Sequence, residues 1–276
     1  MKRIPLILAL LIVAAAAVSA EPVTLVAWAP GYPGTTEQAQ PSMDEFAAGV
    51  AGAAGWDAGE FLAVYYPKVE DGRARMTDDA ALALVPLPVY LEYAESLDLR
   101  PLMRVIQDGG DEEAWSLVAR KGAIASPADL SGWTIKGVAG FSPRFVKTAL
   151  GSWGTLPADV EIAFNARVLS VLRNAAAGED VAALLDRAQS EALPRLPFAA
   201  DLEVVATSTP MVSSLLCEVG DRLPDARREA LIEALLSMRG SAAGSEVLAT
   251  IRVVRFETLD TEALAGVRRM WGDAAD

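Results

Sequence analysis

The chain has 276 residues, a single cysteine, no histidine and a formal net charge of −13. Without an imidazole there is no Ser-His-Asp triad, no Cys-His pair and no histidine metal site. So acidic a surface disfavours nucleic acid and anionic membranes, but a local field inside a cleft is free to oppose the net charge, so an anionic small ligand stays open.

Residues 1–20 read as an address rather than as fold. Lys2 and Arg3 form a basic start, Ile4–Val18 is apolar, and Val18-Ser19-Ala20 ends the run with small residues. This is the pattern of a secretory signal peptide cleaved after Ala20, and the run is short for a membrane span. Loss of Lys2 and Arg3 takes the net charge from −13 to −15. The remaining chain, about 255 residues, suits one large domain or two lobes that each bury a core. Cys217 has no partner for an internal disulfide and lies in the apolar run Met211–Cys217, which predicts a buried, inert thiol.

In chain order, Val23–Ala29 is apolar and β-prone and ends in the turn-rich Pro30-Gly31-Tyr32-Pro33-Gly34. Ser42 and Glu45 have capping-box spacing and predict a helix from there to Ala54, stopped by Gly55. Phe61–Tyr66 reads as a strand, and Lys68–Asp79 is a short charged stretch. Ala80–Pro86 is an apolar run without a polar face, as expected of a strand covered on both sides, and it hands over at Pro86 and Pro88 to a helix Val89–Leu97. A strand around Leu102–Gln107 closes a β-α-β-α-β-α-β block, the order of a mostly parallel sheet flanked by helices.

The polar Asp108–Glu113 segment marks a lobe boundary. After it come a strand Trp115–Ala119, a capped turn at Ser126-Pro127, a strand Trp133–Ala139 and a helix Arg144–Leu150. A strand Val160–Phe164, a helix Arg167–Ala177 and strands Val181–Leu185 and Leu202–Thr207 continue the alternation. The last block reads as strand Met211–Val219, helix Ala226–Met238 and a terminal helix Thr261–Met270.

Two segments carry a family resemblance: Val85–Tyr93 (VPLPVYLEY) and Ser126–Val138 (SPADLSGWTIKGV). With the exported, two-block α/β order, they make the chain similar to periplasmic solute-binding proteins of ABC transporters, above all the phosphate/phosphonate type. That resemblance implies an α/β, two-lobed periplasmic-binding-protein fold, each lobe a mostly parallel sheet flanked by helices, with ligand held in the cleft between them. It places the crossings near Ile106–Ala114 and Ala200–Pro210, so that residues 21–107 and 208–276 form lobe 1 and residues 108–207 form lobe 2. Phosphonate binders of this type carry a Ser/Thr-Gly-rich loop that opens a helix in the second lobe. Here the matching stretch is Gly140-Phe141-Ser142-Pro143-Arg144-Phe145, with a single hydroxyl between two phenylalanines.

The candidate ligand-binding residues fall at or just after strand ends, where open α/β sheets bind ligands. Trp28, Tyr32, Tyr90 and Phe141 would line the cleft with aromatics, beside Pro88. Ser142 is a good N-cap with Pro143 at the first helical position, so free amides and the dipole there suit an anion, with Arg144 nearby. Asn165 and Asp186 end strands of the second lobe, and Ser208 lies on the second crossing. Against each stands a plain structural reading as cap, turn or core.

The expected function is capture of a small molecule for membrane transporter subunits, with no cofactor, no metal site, no nucleic-acid partner and no catalysis. Two ligand classes remain open, a phosphate- or phosphonate-like oxyanion and an apolar or aromatic organic molecule. A ligand sensor for a membrane kinase is a further alternative.

Overall fold

A computed structural model describes residues 21–274. The expected export segment, 1–20, lies outside the described residues. β1 (Val23–Trp28) is buried along its whole length and leads into α1 (Thr36–Ala53). This helix begins earlier than the Ser42/Glu45 pattern predicts. The Thr35 hydroxyl accepts from Gln38 N at 3.2 Å, and Gln38 Oε1 accepts from Thr35 N at 3.0 Å, so the capping box lies upstream and Ser42 and Glu45 fall inside the helix.

β2 (Phe61–Tyr66) follows, then α2 (Val69–Asp78), a helix formed from the charged stretch. Gly72 is what lets α2 lie against β1. A Cβ there would fall 2.1 Å from Cδ1 of Trp28, so only glycine admits the indole. β3 (Leu82–Pro86) turns directly into α3 (Leu87–Tyr93), and β4 (Leu99–Gln107) ends the block. Pro86 and Pro88 set that junction: neither donates a backbone hydrogen bond, and Leu87 N finds Ser213 O at 2.9 Å.

The chain then passes through β5 (Glu112–Glu113) to β6 (Ser116–Arg120), β7 (Thr134–Gly137), α4 (Pro143–Leu150) and β8 (Glu161–Phe164). α5 (Val168–Ala176), β9 (Val181–Leu185), α6 (Arg187–Ala192) and β10 (Leu202–Thr207) complete this part. The expected strand Met211–Val219 is split into β11 (Met211–Val212) and β12 (Ser214–Val219), because its two halves pair with different partners. α7 (Asp225–Met238), α8 (Ala242–Thr250), β13 (Val253–Thr258) and α9 (Thr261–Asp273) end the described chain.

Two sheets result. One has the order β13-β4-β12-β3-β1-β2 and the other β10-β6-β9-β7-β8, with β11-β5 as a two-stranded link. In the first, β1 pairs in parallel with β2 and β3, while β12 and β13 run against β4. In the second, β7 pairs in parallel with β8 and β9, and β6 runs against β9 and β10. Both are therefore mixed sheets with most strands pointing one way, flanked by helices: a two-lobed α/β architecture. Cys217 is fully buried on β12, and burial pushes its thiol well up, as expected of an inert cysteine. No described helix is long and apolar enough to cross a membrane.

The chain leaves the first sheet between β4 and β6 and returns between β10 and β12. These two passages are tied together. Ser208 N donates to Trp115 O at 2.8 Å, and Trp115 N donates to the Ser208 hydroxyl at 2.9 Å. Ser208 is buried, so the serine completes a backbone pairing that would otherwise leave a donor unmet.

Candidate ligand-binding cleft

At the facing strand ends, two polar contacts and an aromatic row run from one sheet's loops to the other's. The first contact starts from the loop after β1. Gly31 takes φ +81°, and a Cβ on it would lie 3.0 Å from both Phe164 and Val138 of the opposite lobe. Glycine therefore serves twice, for the turn and for the approach of one lobe to the other. The next residue, Tyr32, donates its hydroxyl to Asp186 Oδ2 at 3.1 Å.

Asp186 follows β9 and caps α6, where Oδ1 accepts from Gln189 N at 2.8 Å. It is buried, and burial raises its carboxyl above the ordinary range, opposed by the hydrogen bonds from Gln189 and Tyr32. The Tyr32 phenol is pushed well up, first by burial and then by the charge of Asp186, so it stays a donor. Glu113 on β5 belongs to the same group. Burial, with the Asp186 charge behind it, raises its carboxyl to about 7, although Arg187 N donates to Glu113 Oε1 at 2.5 Å.

The second contact joins α3 to the start of α4. Ser142 is fully buried, accepts from Phe145 N at 3.2 Å as the N-cap, and donates to Glu92 Oε2 at 2.5 Å. Beside it runs the aromatic row. Trp28 and Tyr93 meet at 4.8 Å between ring centroids, Tyr93 and Phe141 stack at 6.4 Å and 13°, and Phe141 meets Phe164 edge-on at 6.5 Å.

These contacts bring together Tyr32, Asp186, Phe141 and Ser142 of the sequence candidates, with Trp28 at the inner end of the row. The others lie elsewhere. Tyr90 and Pro88 are buried in the core of α3, and the Tyr90 hydroxyl accepts from Arg268 of α9. The guanidinium of Arg144 points to α9 rather than to the cleft, donating from Nη2 to the Trp271 carbonyl at 2.6 Å and lying 4.2 Å from the indole centroid. Asn165 turns back on its own loop, its Oδ1 accepting from Arg167 N at 2.7 Å. Ser208 ties the two passages between the sheets, as described above.

Two hollows lie on other faces. One of about 750 Å³ runs between α4 and α9 past Lys147, Leu156 and Met270, and one of about 590 Å³ lies against α1 and β2. Neither is lined by Tyr32, Glu92, Ser142 or Asp186. Among the described residues, the buried indole N–H of Trp115 has no acceptor, and its ring meets Phe145 in the first turn of α4 at 5.2 Å.

A family model for the phosphonate periplasmic substrate-binding protein of ABC transporters matches residues 77–264. The chain belongs to that family. It is a periplasmic solute-binding protein of the ABC-transport type, and the match runs across both sheets.

Solved structures share the fold of this binding protein at low identity. XAC2383 from Xanthomonas citri, bound to chloride ion, is 12% identical, with a TM-score of 0.71 over 92% of this chain and 97% of that one. The binding protein component of an ABC phosphonate transporter from Pseudomonas aeruginosa, PA3383, is 16% identical, with a TM-score of 0.67 over 92% and 87%. PhnD1 from Prochlorococcus marinus, in complex with methylphosphonate, is 13% identical, with a TM-score of 0.63 over 92% and 98%. No curated protein matches the sequence.

Sequence reasoning missed Glu92, Tyr93, Glu113, Trp115 and Phe164. Glu92 and Tyr93 lie in the same VPLPVYLEY stretch that singled out Tyr90. A helix leaving a strand end presents one face to the core and another to the opposite lobe, and the apolar spacing marked only the first.

Proposed function

We propose that this binding protein captures a small phosphonate-like oxyanion between its lobes and hands it to membrane permease subunits, without catalysing a reaction and without nucleic acid as a partner. Lobe 1 comprises residues 21–107 and 208–276, lobe 2 residues 108–207, and residues 1–20 direct export.

The observation that carries this reading is the placement, between the two sheets, of protein groups that suit the two ends of a small polar solute. The start of α4 has the dipole end that suits an oxyanion, and Ser142 caps it, its proton now given to Glu92. Asp186 offers a buried carboxylate that suits a hydrogen-bond donor or a cation. The family match favours this solute class over an apolar organic ligand. Closure of the lobes over the solute would be a hinge motion about the β5–β11 link.

The test is thermal unfolding of the exported protein with phosphate, phosphite and methylphosphonate, followed by calorimetric titration. A ligand at about a hundred times its Kd adds roughly 2.7 kcal/mol of stability, which raises the midpoint visibly. No shift with any of the three would remove the oxyanion reading.

A further inference from the structure

We propose that Glu92 is a tethered anion that takes the solute's place at Ser142. Its carboxylate closes the two lobes in the absence of solute, and it sets a threshold that only a ligand able to displace a carboxylate passes.

The first argument is one of stoichiometry. A serine hydroxyl has one proton to donate. In Ser142 that proton goes to Glu92 Oε2 at 2.5 Å, within the range of a charge-assisted bond, while the oxygen accepts from Phe145 N. Ser142 is the lone hydroxyl of the segment Gly140–Phe145. A phosphoryl oxygen arriving there finds the donor spent and a carboxylate of like charge beside it.

The second argument is positional. Glu92 and Tyr93 are consecutive on α3, and Phe141 and Ser142 are consecutive in the opposing lobe. The pair Glu92–Ser142 and the stack Tyr93–Phe141 therefore act together, so that one turn of α3 grips one two-residue segment by a polar and an apolar contact. α3 itself is anchored, with Tyr90 buried beneath Arg268 and Leu87 N held by Ser213 O. The carboxylate thus reaches Ser142 from a fixed helix and loses little freedom on binding. Glu92 is otherwise exposed, so no packing demand explains a carboxylate at this position.

Competition with solute rests on the oxyanion reading above; closure without solute does not. The experiment therefore reads both, on the wild type and on Glu92→Gln and Glu92→Ala. Small-angle scattering without solute measures closure, and calorimetry with methylphosphonate measures binding. Both variants should show a larger radius of gyration than the wild type, and Glu92→Gln should bind methylphosphonate roughly tenfold more tightly, since a like charge is removed from the site. An unchanged radius in both variants overturns the proposal. Expansion with weaker methylphosphonate binding overturns the competition. Expansion with no binding by any of the three proteins upholds the closure role of Glu92 and rejects the oxyanion as solute.

Discussion

The Tyr32 hydroxyl donates to Asp186 Oδ2 at 3.1 Å across the lobes, although 154 positions separate the two residues in the chain. A buried carboxylate is held there by a phenol and by the amide of Gln189. Deleting the phenol hydroxyl leaves the carboxylate short of a partner in the closed form and costs the open form nothing. Tyr32→Phe should therefore weaken closure by about 1–2 kcal/mol, seen as roughly tenfold weaker solute affinity in calorimetry. Equal affinities of Tyr32→Phe and wild type would remove this bond from the closing device.

Glu113 gives the protein a pH dependence of definite sign. Its carboxyl is raised from the ordinary 4.5 to about 7 in the folded chain, by burial first and the nearby Asp186 charge after. Between these values the folded state binds more protons than the unfolded one, so stability falls as pH rises. The contribution is fully present below about 4.5 and is lost through about 7. Asp186 is shifted in the same direction, for the same leading cause. Denaturant unfolding at pH 5, 6, 7 and 8 should show this loss, and Glu113→Gln should flatten it. An unaltered slope in the variant would assign the pH dependence to other groups.

Gly31 is where the closed form is least tolerant of a methyl group. Its positive φ disfavours any L side chain by about 1–2 kcal/mol, and an added Cβ would press on Phe164 and Val138 at 3.0 Å. Gly31→Ala should lower the unfolding midpoint and enlarge the protein in solution. Gly34→Ala is the natural control. That position also has positive φ, but a Cβ meets nothing within 4 Å, so stability alone should drop.

Ser208→Ala removes the acceptor of Trp115 N in a buried stretch between the sheets. Leaving a buried donor unmet costs about 1–3 kcal/mol. The expected result is a lower denaturant midpoint at an unchanged m-value. A neutral substitution would mean that water replaces the hydroxyl there.

Much of the fold was legible from periodicity and punctuation. Val181–Leu185 and Leu202–Thr207 are strands with the expected limits: the first is a short, wholly buried apolar run stopped by Asp186, and the second ends at Thr-Ser-Thr-Pro. Ala242–Thr250 and Val253–Thr258 carry no such signal. In α8 only Leu248 is buried, so the helix shows no apolar period. β13 is an edge strand, paired among the described residues with β4 alone, and carries Arg255 and Glu257. α1 starts at the first of two neighbouring capping signatures, Thr35/Gln38 and Ser42/Glu45, and local spacing does not choose between them.

In the cleft, local pattern is enough to say which positions stand at strand ends. The loop of Gly31 and Tyr32, the Ser142 cap and Asp186 follow from turn residues, capping chemistry and the lengths of apolar runs, all of which act between near neighbours. Local pattern does not say that Tyr32 meets Asp186, that Arg144 turns to Trp271, or that Glu92, a charged residue on the outer face of a helix, closes on Ser142. Those pairings depend on how two sheets are set against each other. That setting is fixed by the packing of whole surfaces, so no local pattern in the chain encodes which charge on an exposed helix face will find a partner across the gap.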